Sequence, residues 1–308
     1  MTEYRARLSG DVALTNGGVL SVREFLVDVP AADVSPDELG DLLVSSFGVL
    51  MAGEVVLREV TIVEAAHTGT RGGPSSPARA ASADQPRRLV ELNHVITEGM
   101  VTYPGLPAPQ ITPFLTRADS RSHYTDGTEF ALDCITLIGN TGTYLDSPYH
   151  RYDHASDLAG LALAQLVELP TVVMRVADSE QRAIDAATLA AIDDEVIAGS
   201  AVLLHTGGAA RFGTPEYAQD AGYLTRDGAH WLVERAAALV GIDSVNIDAI
   251  EDGARPAHSV LLAAGIPIVE HLTGLEQLPP FGARFSAVPP RLANFGTFPV
   301  RAFASVPA

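Results

Sequence analysis

The chain has 308 residues, of which 47% are hydrophobic, and its 38 acidic against 20 basic side chains give a formal net charge of -18. This length and composition are typical of one large globular domain, alone or with a small appendage. The negative charge disfavours nucleic acid and anionic membrane surfaces as partners. Because Cys134 is the single cysteine, an intramolecular disulfide and a thiolate metal cluster are excluded, and its apolar neighbours predict a buried side chain.

Neither a signal peptide nor a membrane span is predicted. The first residues are not followed by the apolar run of a signal peptide, and no run approaches the roughly 18 residues that cross a bilayer. We therefore expect a cytoplasmic protein.

Residues 1–67 predict a small α+β module. Apolar segments occupy Val19–Val29 and Glu54–Val63, and the latter is expected to be a strand. Between them, Ser35 and Glu38 are spaced as a capping box with Pro36 at the first helical position, which predicts the start of a helix.

Residues 68–88 are rich in Gly, Ser, Pro and Ala and offer almost nothing to bury, so they predict a flexible linker. The main domain is expected at 89–308, where strand patterns alternate with helix patterns. That alternation predicts an α/β domain with a partly parallel sheet. The predicted elements are strands at Leu166–Val176, Ser200–Gly207, Leu239–Asp243, Ile266–Glu270, Arg284–Pro289 and Val300–Val306, and helices at Ile184–Ile197, about Arg226–Val240 and Pro256–Ala264.

Two places in this domain concentrate metal-ligand residue types. The first is the segment Asn140–His154, which follows an apolar run and contains Asp146 and His150. The second pairs His258, at the start of the short helix, with Glu270 at the end of the next strand. A carboxylate with a His and a Glu is a suitable ligand set for zinc or manganese. From the residues alone, however, Asp146 is as readily a turn residue that caps backbone amides beside Pro148.

The pattern Gly142-Thr143-x-x-Asp146-x-Pro148-x-His150 resembles the signature of the cyclase-like metal-dependent hydrolase family, which includes kynurenine formamidase and isatin hydrolase. The segments Leu203–Gly207 and Ala264–Glu270 are similar to later parts of the family, and the resemblance covers about Leu89 to Val306. It implies an α/β domain of the swivelling β/β/α type, a small-molecule substrate and a homo-oligomer.

The family motif reads His-x-Gly-Thr-His-x-Asp-x-Pro-x-His. In the family its first two histidines and the aspartate bind one metal, the aspartate with a distant His and a Glu binds a second, and its last histidine is the acid/base. This chain departs from the motif at Asn140 and Tyr144. The resemblance therefore implies one divalent ion, zinc or manganese, at Asp146, His258 and Glu270, with His150 as the acid/base.

The remaining site roles follow from position in the same motif. We expect Tyr144 to donate its hydroxyl to a developing oxyanion and Asn140 to orient substrate. Tyr103 and Pro104 are expected to line the pocket.

Three functions remain open at this stage. The first is a hydrolase that attacks an amide, lactam or lactone bond of a small, aromatic or cyclic metabolite with a metal-activated water. The second is a metal-independent cyclase, isomerase or lyase of the same fold that works through His150 and Tyr144. The third is a ligand-binding pseudoenzyme whose amino-terminal module supplies a partner surface.

Overall fold

The structure, a computed structural model, describes residues 4–14, 19–47, 52–64, 87–179, 181–193 and 196–307. The chain separates into two compact units, Met1–Pro86 and Arg87–Ala308. Most of the linker predicted at 68–88 lies outside the described residues. Arg87 and Arg88, which were expected in the linker, instead begin a strand, because their backbone pairs with the last strand of the chain. No helix in the described ranges is long and apolar enough to cross a membrane.

In its described residues, the first unit is a small antiparallel sheet with one helix. Its elements are strand β1 (Tyr4–Leu14), strand β2 (Val19–Val29), helix α1 (Pro36–Phe47) and strand β3 (Ala52–Glu64). The strand order is β2-β1-β3, and β1 was not predicted. The predicted capping box is confirmed, since Glu38 N donates to Ser35 Oγ at 3.3 Å and Ser35 N donates to Glu38 Oε2 at 3.0 Å.

The larger unit contains more strand than helix. Its strands are β4 (Arg87–Glu91), β5 (Gln110–Leu115), β6 (Leu132–Thr136), β7 (Tyr144–Asp146), β8 (Leu169–Arg175), β9 (Ala183–Ile184), β10 (Ala201–His205), β11 (Tyr223–Leu224), β12 (Leu239–Ile242), β13 (Ile268–Glu270), β14 (Phe281–Ser286), β15 (Thr297–Pro299) and β16 (Phe303–Pro307). Its α-helices are α2 (Arg117–Ser120), α3 (Ala186–Leu189), α4 (Arg226–Glu234) and α5 (Pro256–Ala263).

Among the described residues, nine of these strands form one sheet in the order β15-β7-β13-β12-β10-β8-β14-β16-β4. Strands β8, β10, β12 and β13 are parallel, which confirms the predicted α/β class with a partly parallel sheet. Both faces of β10 are buried: Ala201 and Leu203 pack in one hydrophobic cluster, and Val202 and Leu204 in another. This burial explains why its sequence is a continuous apolar run.

Two of the predicted helices were too long. The helix expected over Ile184–Ile197 is a single turn, α3, which begins after Asp185, whose carboxylate caps Thr188 N at 2.8 Å. The helix expected to reach Val240 ends at Glu234, because Ala236 has a φ of +55°. Ala237 N then donates to Leu232 O at 3.1 Å and Ala236 N to Val233 O at 3.0 Å, which is a Schellman cap. Such caps usually carry glycine, so this one has no sequence signal.

Strands β5 and β6 form a separate antiparallel ribbon whose residues are exposed on both faces. Cys134 lies in this ribbon and is exposed. The prediction of a buried cysteine is therefore wrong: its apolar neighbours belong to the ribbon and not to the core.

Strand pairing brings the candidate site residues together at one end of the nine-stranded sheet. Strand β7 lies between β13 and β15 and is antiparallel to both. The register places Tyr144 opposite Glu270 on one side, and Asp146 opposite Thr297 on the other. Directly opposed residues in an antiparallel pair point to the same face, so the register alone makes these side chains neighbours.

Candidate active site

A cavity of about 500 Å³ opens beside this end of the sheet. This volume lies in the usual range for small-molecule sites. Most of the predicted site residues line it together: Tyr103, Asn140, Tyr144, His150, His258 and Glu270.

Pro104 does not line this cavity. It borders a separate one of about 210 Å³, together with Thr102 and Tyr217. Tyr103 and Pro104 stand in a turn closed by a hydrogen bond from Leu106 N to Tyr103 O at 3.1 Å, and Tyr103 lines the larger cavity whereas Pro104 lines the smaller one. The expectation that Pro104 lines the pocket is wrong.

Asp146 is fully buried behind the cavity wall. The Thr297 hydroxyl donates to its Oδ1, whereas Oδ2 has no hydrogen-bond partner among the described residues. Burial alone would raise the pKa of Asp146, but the neighbouring imidazoles of His150 and His258 and the Thr297 hydroxyl outweigh it and lower the pKa. Asp146 is therefore a buried carboxylate with one free oxygen.

His258 presents its Nε2 to two carboxylates. Its Nδ1 donates to Asp248 Oδ2 at 2.7 Å, and Asp248 also caps the start of α5 by accepting from Ala257 N at 2.6 Å. This leaves Nε2 at 3.6 Å from Asp146 Oδ2 and at 3.6 Å from Glu270 Oε1. Burial lowers the pKa of His258, but the negative charges of Glu270 and Asp146, together with the hydrogen bond to Asp248, raise it to about 10.

Glu270 accepts a hydrogen bond at each oxygen. Ile247 N donates to Oε1 at 2.6 Å, and the Tyr144 hydroxyl donates to Oε2 at 2.6 Å. Burial raises the pKa of Glu270. Burial and the charges of Glu270 and Asp146 also raise the pKa of Tyr144 far above its usual value. Tyr144 is thus a permanent hydroxyl donor at neutral pH.

His150 lies in a 3-10 turn, Pro148–His150, at the cavity wall. Its Nδ1 is 2.7 Å from Thr297 Oγ1. Because the single hydroxyl hydrogen of Thr297 is donated to Asp146, Thr297 must accept from His150, which assigns the proton to Nδ1. The Nε2 atom of His150 is then the ring nitrogen that accepts a proton.

The donor set at this site fits a divalent ion. One ligand atom each from Asp146, His150 and His258 lies within 4.8 Å of the others. Glu270 is not in that group of described residues, but its Oε1 faces the same nitrogen of His258 as Asp146 does. A second lone pair on Oε1 and the free Oδ2 of Asp146 leave room for coordination by oxygen and nitrogen, which zinc and manganese accept.

Thr297 and Asp248 were missed by the sequence reasoning. Each orients one histidine through its Nδ1, which is the arrangement that directs the other ring nitrogen to a metal or a substrate. Thr297 is far from Asp146 and His150 in sequence and meets them only through the pairing of β15 with β7. Asp248 follows strand β12 in a loop, a position that gives little signal without the fold.

Comparison with known proteins finds matches in the part of the chain that contains this site. Residues 90–249 match the Cyclase family, so the chain belongs to the Cyclase family. It is 26% identical over 213 residues to the kynurenine formamidase of Geobacillus thermodenitrificans, a match that covers 69% of this chain and 95% of that protein. Relatives named in this way are hydrolytic enzymes, and the family is enzymatic.

Solved structures share the fold. An isatin hydrolase bound to the product analogue thioisatinate matches with a TM-score of 0.64 at 21% identity and covers 75% of this chain and 96% of its own. Isatin hydrolase A from Ralstonia solanacearum matches with a TM-score of 0.62 at 23% identity, and the match covers 79% of this chain and 100% of that chain. The expected cyclase-family fold is confirmed by these matches.

Proposed function

We propose that this protein hydrolyses an amide or lactam bond, or a lactone, in a small aromatic or cyclic metabolite. The proposal is supported by the names of the relatives, kynurenine formamidase and isatin hydrolase. The observation that carries it is the free Asp146 Oδ2 beside His258 Nε2 at 3.6 Å, next to a cavity that His150 and Tyr144 line.

Asp146, His258 and Glu270 would hold one divalent ion. When bound, such an ion polarises the carbonyl group and lowers the pKa of a water. His150 takes the proton of the attacking water on Nε2, since Thr297 keeps the proton of the ring on Nδ1. The same proton then passes from His150 to the leaving group.

Tyr144 and Asn140 bind the reacting group in this scheme. The raised pKa of Tyr144 keeps its hydroxyl protonated. Without substrate its one hydrogen is donated to Glu270 Oε2 at 2.6 Å, and as charge develops on the carbonyl oxygen this hydrogen turns from Glu270 to that oxygen. Asn140, beside Tyr144 in the cavity wall, orients the substrate, and Tyr103 forms part of the same wall.

Metal analysis of the purified protein, combined with hydrolysis assays on formyl-kynurenine and isatin, tests this proposal. We expect about one equivalent of zinc or manganese, lost together with activity on chelation. His150→Gln should keep the metal and lose activity, whereas Glu270→Gln should lose both. A His150→Gln protein that loses its metal would instead make His150 a ligand, in the group that the 4.8 Å distances define.

One observation favours a second candidate, a metal-independent cyclase, isomerase or lyase. With a pKa of about 10, a protonated His258 supplies a positive charge between Asp146 and Glu270 without an ion. His150 and Tyr144 would then carry out the proton transfers alone. Activity that survives complete removal of metal supports this candidate over hydrolysis with a metal-activated water.

We also propose that the chain forms a homo-oligomer through the ribbon of β5 and β6. Phe114 is 80% exposed there, and Leu132 and Ile135 are half exposed. Isolated two-stranded ribbons are marginally stable in water, so a covering surface is expected. A second copy is the suitable partner, since Asp133 is the single charged residue in these two strands and little charge opposes their contact. Light scattering of Phe114→Ser/Ile135→Ser should report a smaller species than the wild type.

A further inference from the structure

Tyr144 belongs to a buried chain of hydrogen bonds that extends away from the cavity. Tyr217 Oη is 2.8 Å from His271 Nδ1, and His271 Nε2 is 3.3 Å from Tyr144 Oη. The Tyr144 hydroxyl then donates to Glu270 Oε2 at 2.6 Å. Tyr217 and His271 have no role in the function proposed above, and neither lines the large cavity.

The distances assign a direction to this chain. Tyr144 has one hydroxyl hydrogen, and its contact with Glu270 is much shorter than its contact with His271, so the hydrogen is donated to the carboxylate. His271 must then donate from Nε2 to the Tyr144 oxygen. The ring is fully buried, and among the described residues its two nitrogens hydrogen-bond to phenol oxygens and to no carboxylate, so it is neutral and its Nδ1 accepts from Tyr217.

The backbone of His271 has a strained, left-handed conformation, which sets the orientation of its ring. Its φ is +56°, in the left-handed region that residues other than glycine seldom adopt. Thr143 Oγ1 donates to His271 O at 2.6 Å, and Leu272 N donates to Ile242 O at 3.0 Å, which fixes the peptide on both sides. Strained residues of this kind are concentrated at functional sites.

Tyr217 acts from outside the catalytic cavity. It borders the smaller cavity of about 210 Å³. Its ring packs against Phe212 at 5.3 Å between centroids, and Phe212 also meets the edge of His271 at 6.1 Å. A change of the Tyr217 hydroxyl therefore removes no contact with a substrate in the large cavity.

We propose that Tyr217 is a positioning residue for the reaction: it holds His271 in the Nε2–H tautomer, and the Nε2–H bond to the Tyr144 oxygen strengthens Tyr144 as a hydrogen-bond donor. Chains of hydrogen bonds polarise one another, so a donor behind the phenol oxygen makes its own hydrogen a better donor to the carbonyl oxygen. This inference rests on the role of Tyr144 in the proposed function.

A double-mutant cycle with Tyr217→Phe and Tyr144→Phe tests the proposal, with formyl-kynurenine or isatin as the probe substrate. Tyr217→Phe should lower kcat by roughly two- to tenfold, as expected for one neutral hydrogen bond, with KM unchanged. In the Tyr144→Phe background, the same substitution should have no further effect on kcat. Tyr223→Phe, which removes a hydroxyl from β11, is the matched control and should leave kcat and KM unchanged.

The outcomes separate the two proposals. If Tyr144→Phe alone leaves kcat unchanged, the catalytic role of Tyr144 is overturned and this inference with it. If Tyr144→Phe lowers kcat, but Tyr217→Phe has no effect or has the same effect in both backgrounds, the inference alone is overturned.

Imidazole ¹⁵N spectra give a readout that needs no substrate and no change of activity. The His271 signals are assigned by their loss in His271→Asn, a residue type that tolerates the left-handed backbone. We expect protonation at Nε2 in the wild type and loss of that preference in Tyr217→Phe. A wild-type His271 protonated at Nδ1 would overturn the proposal, whatever the kinetics.

Discussion

The Thr297 hydroxyl contacts both the buried carboxylate of Asp146 and the acid/base histidine, His150. Removing this one group therefore perturbs both residues. Thr297→Val removes that hydroxyl and keeps the β-branched shape that suits strand β15. The change deletes the bond donated to Asp146 Oδ1 and the bond accepted from His150 Nδ1 at 2.7 Å. Asp146 Oδ2 already has no hydrogen-bond partner among the described residues. The buried carboxylate would therefore lose its only hydroxyl donor among the described residues.

The expected magnitude follows from these two bonds. A hydrogen bond to a charged group contributes about 1.5–3 kcal/mol. For a unit of this size, that loss lowers Tm by roughly 3–12 °C. The kinetic effect should be larger than the stability effect suggests, because His150 also loses the acceptor that fixes its tautomer. We expect kcat to fall roughly ten- to hundredfold, since about 1.4 kcal/mol corresponds to a factor of ten.

Thr297→Ser is the matched control, since it keeps the hydroxyl and removes a methyl group. Initial rates on formyl-kynurenine and isatin, with thermal unfolding of the same preparations, measure both effects. The serine variant should keep most of the activity of the wild type. Equal kcat values for the valine and serine variants would refute the assignment of the His150 proton to Nδ1 through Thr297.

Three further outcomes are expected. Gly296→Ala should lower Tm and activity, because a Cβ there would lie 2.7 Å from His150 Cα, whereas Gly253→Ala meets nothing within 4 Å and should unfold like the wild type. The folded pKa of His258, about 10, exceeds its unfolded value of about 6.5, so its stabilisation is complete below pH 6.5 and is lost towards pH 10. Denaturant titrations of the chelated protein should show this loss, and His258→Gln should not. The folded pKa of His94 is lowered by burial to about 4. Stability should thus fall as the pH drops from about 6.5 to 4, and an equally steep fall in His94→Asn would contradict this account.

Local signals in the sequence were sufficient where local interactions decide the structure. The capping box of Ser35 and Glu38 predicted the start of α1, and the continuous apolar run around Leu203 predicted a strand. The end of helix α4 at Glu234 was not predictable in the same way. Its left-handed residue is the exposed Ala236, held by the cap hydrogen bonds, which are not visible as a residue preference.

The site was predictable only as far as the motif and the resemblance reached. The motif and the resemblance named Asp146, His150, His258 and Glu270 as candidates. The structure brings these four residues together beside one end of the sheet. Thr297 was not named, because a threonine carries no chemical signal until strand pairing sets it opposite Asp146. Long-range register is a property of the folded sheet, whereas the motif is a property of the segment.

Tyr144 replaces a histidine of the family motif, which exchanges a possible metal ligand for a hydrogen-bond donor. An imidazole at this position would bind a metal ion. The phenol of Tyr144, with its raised pKa, instead keeps its proton and donates a hydrogen bond to Glu270. Glu270 Oε1 accepts from Ile247 N and faces His258, and its second lone pair is available for coordination. His271 Nε2 also contacts the Tyr144 oxygen, at 3.3 Å. Asn140 and Tyr144 stand at the two positions where the family motif has histidine ligands, and we therefore expect one metal equivalent in this protein instead of two.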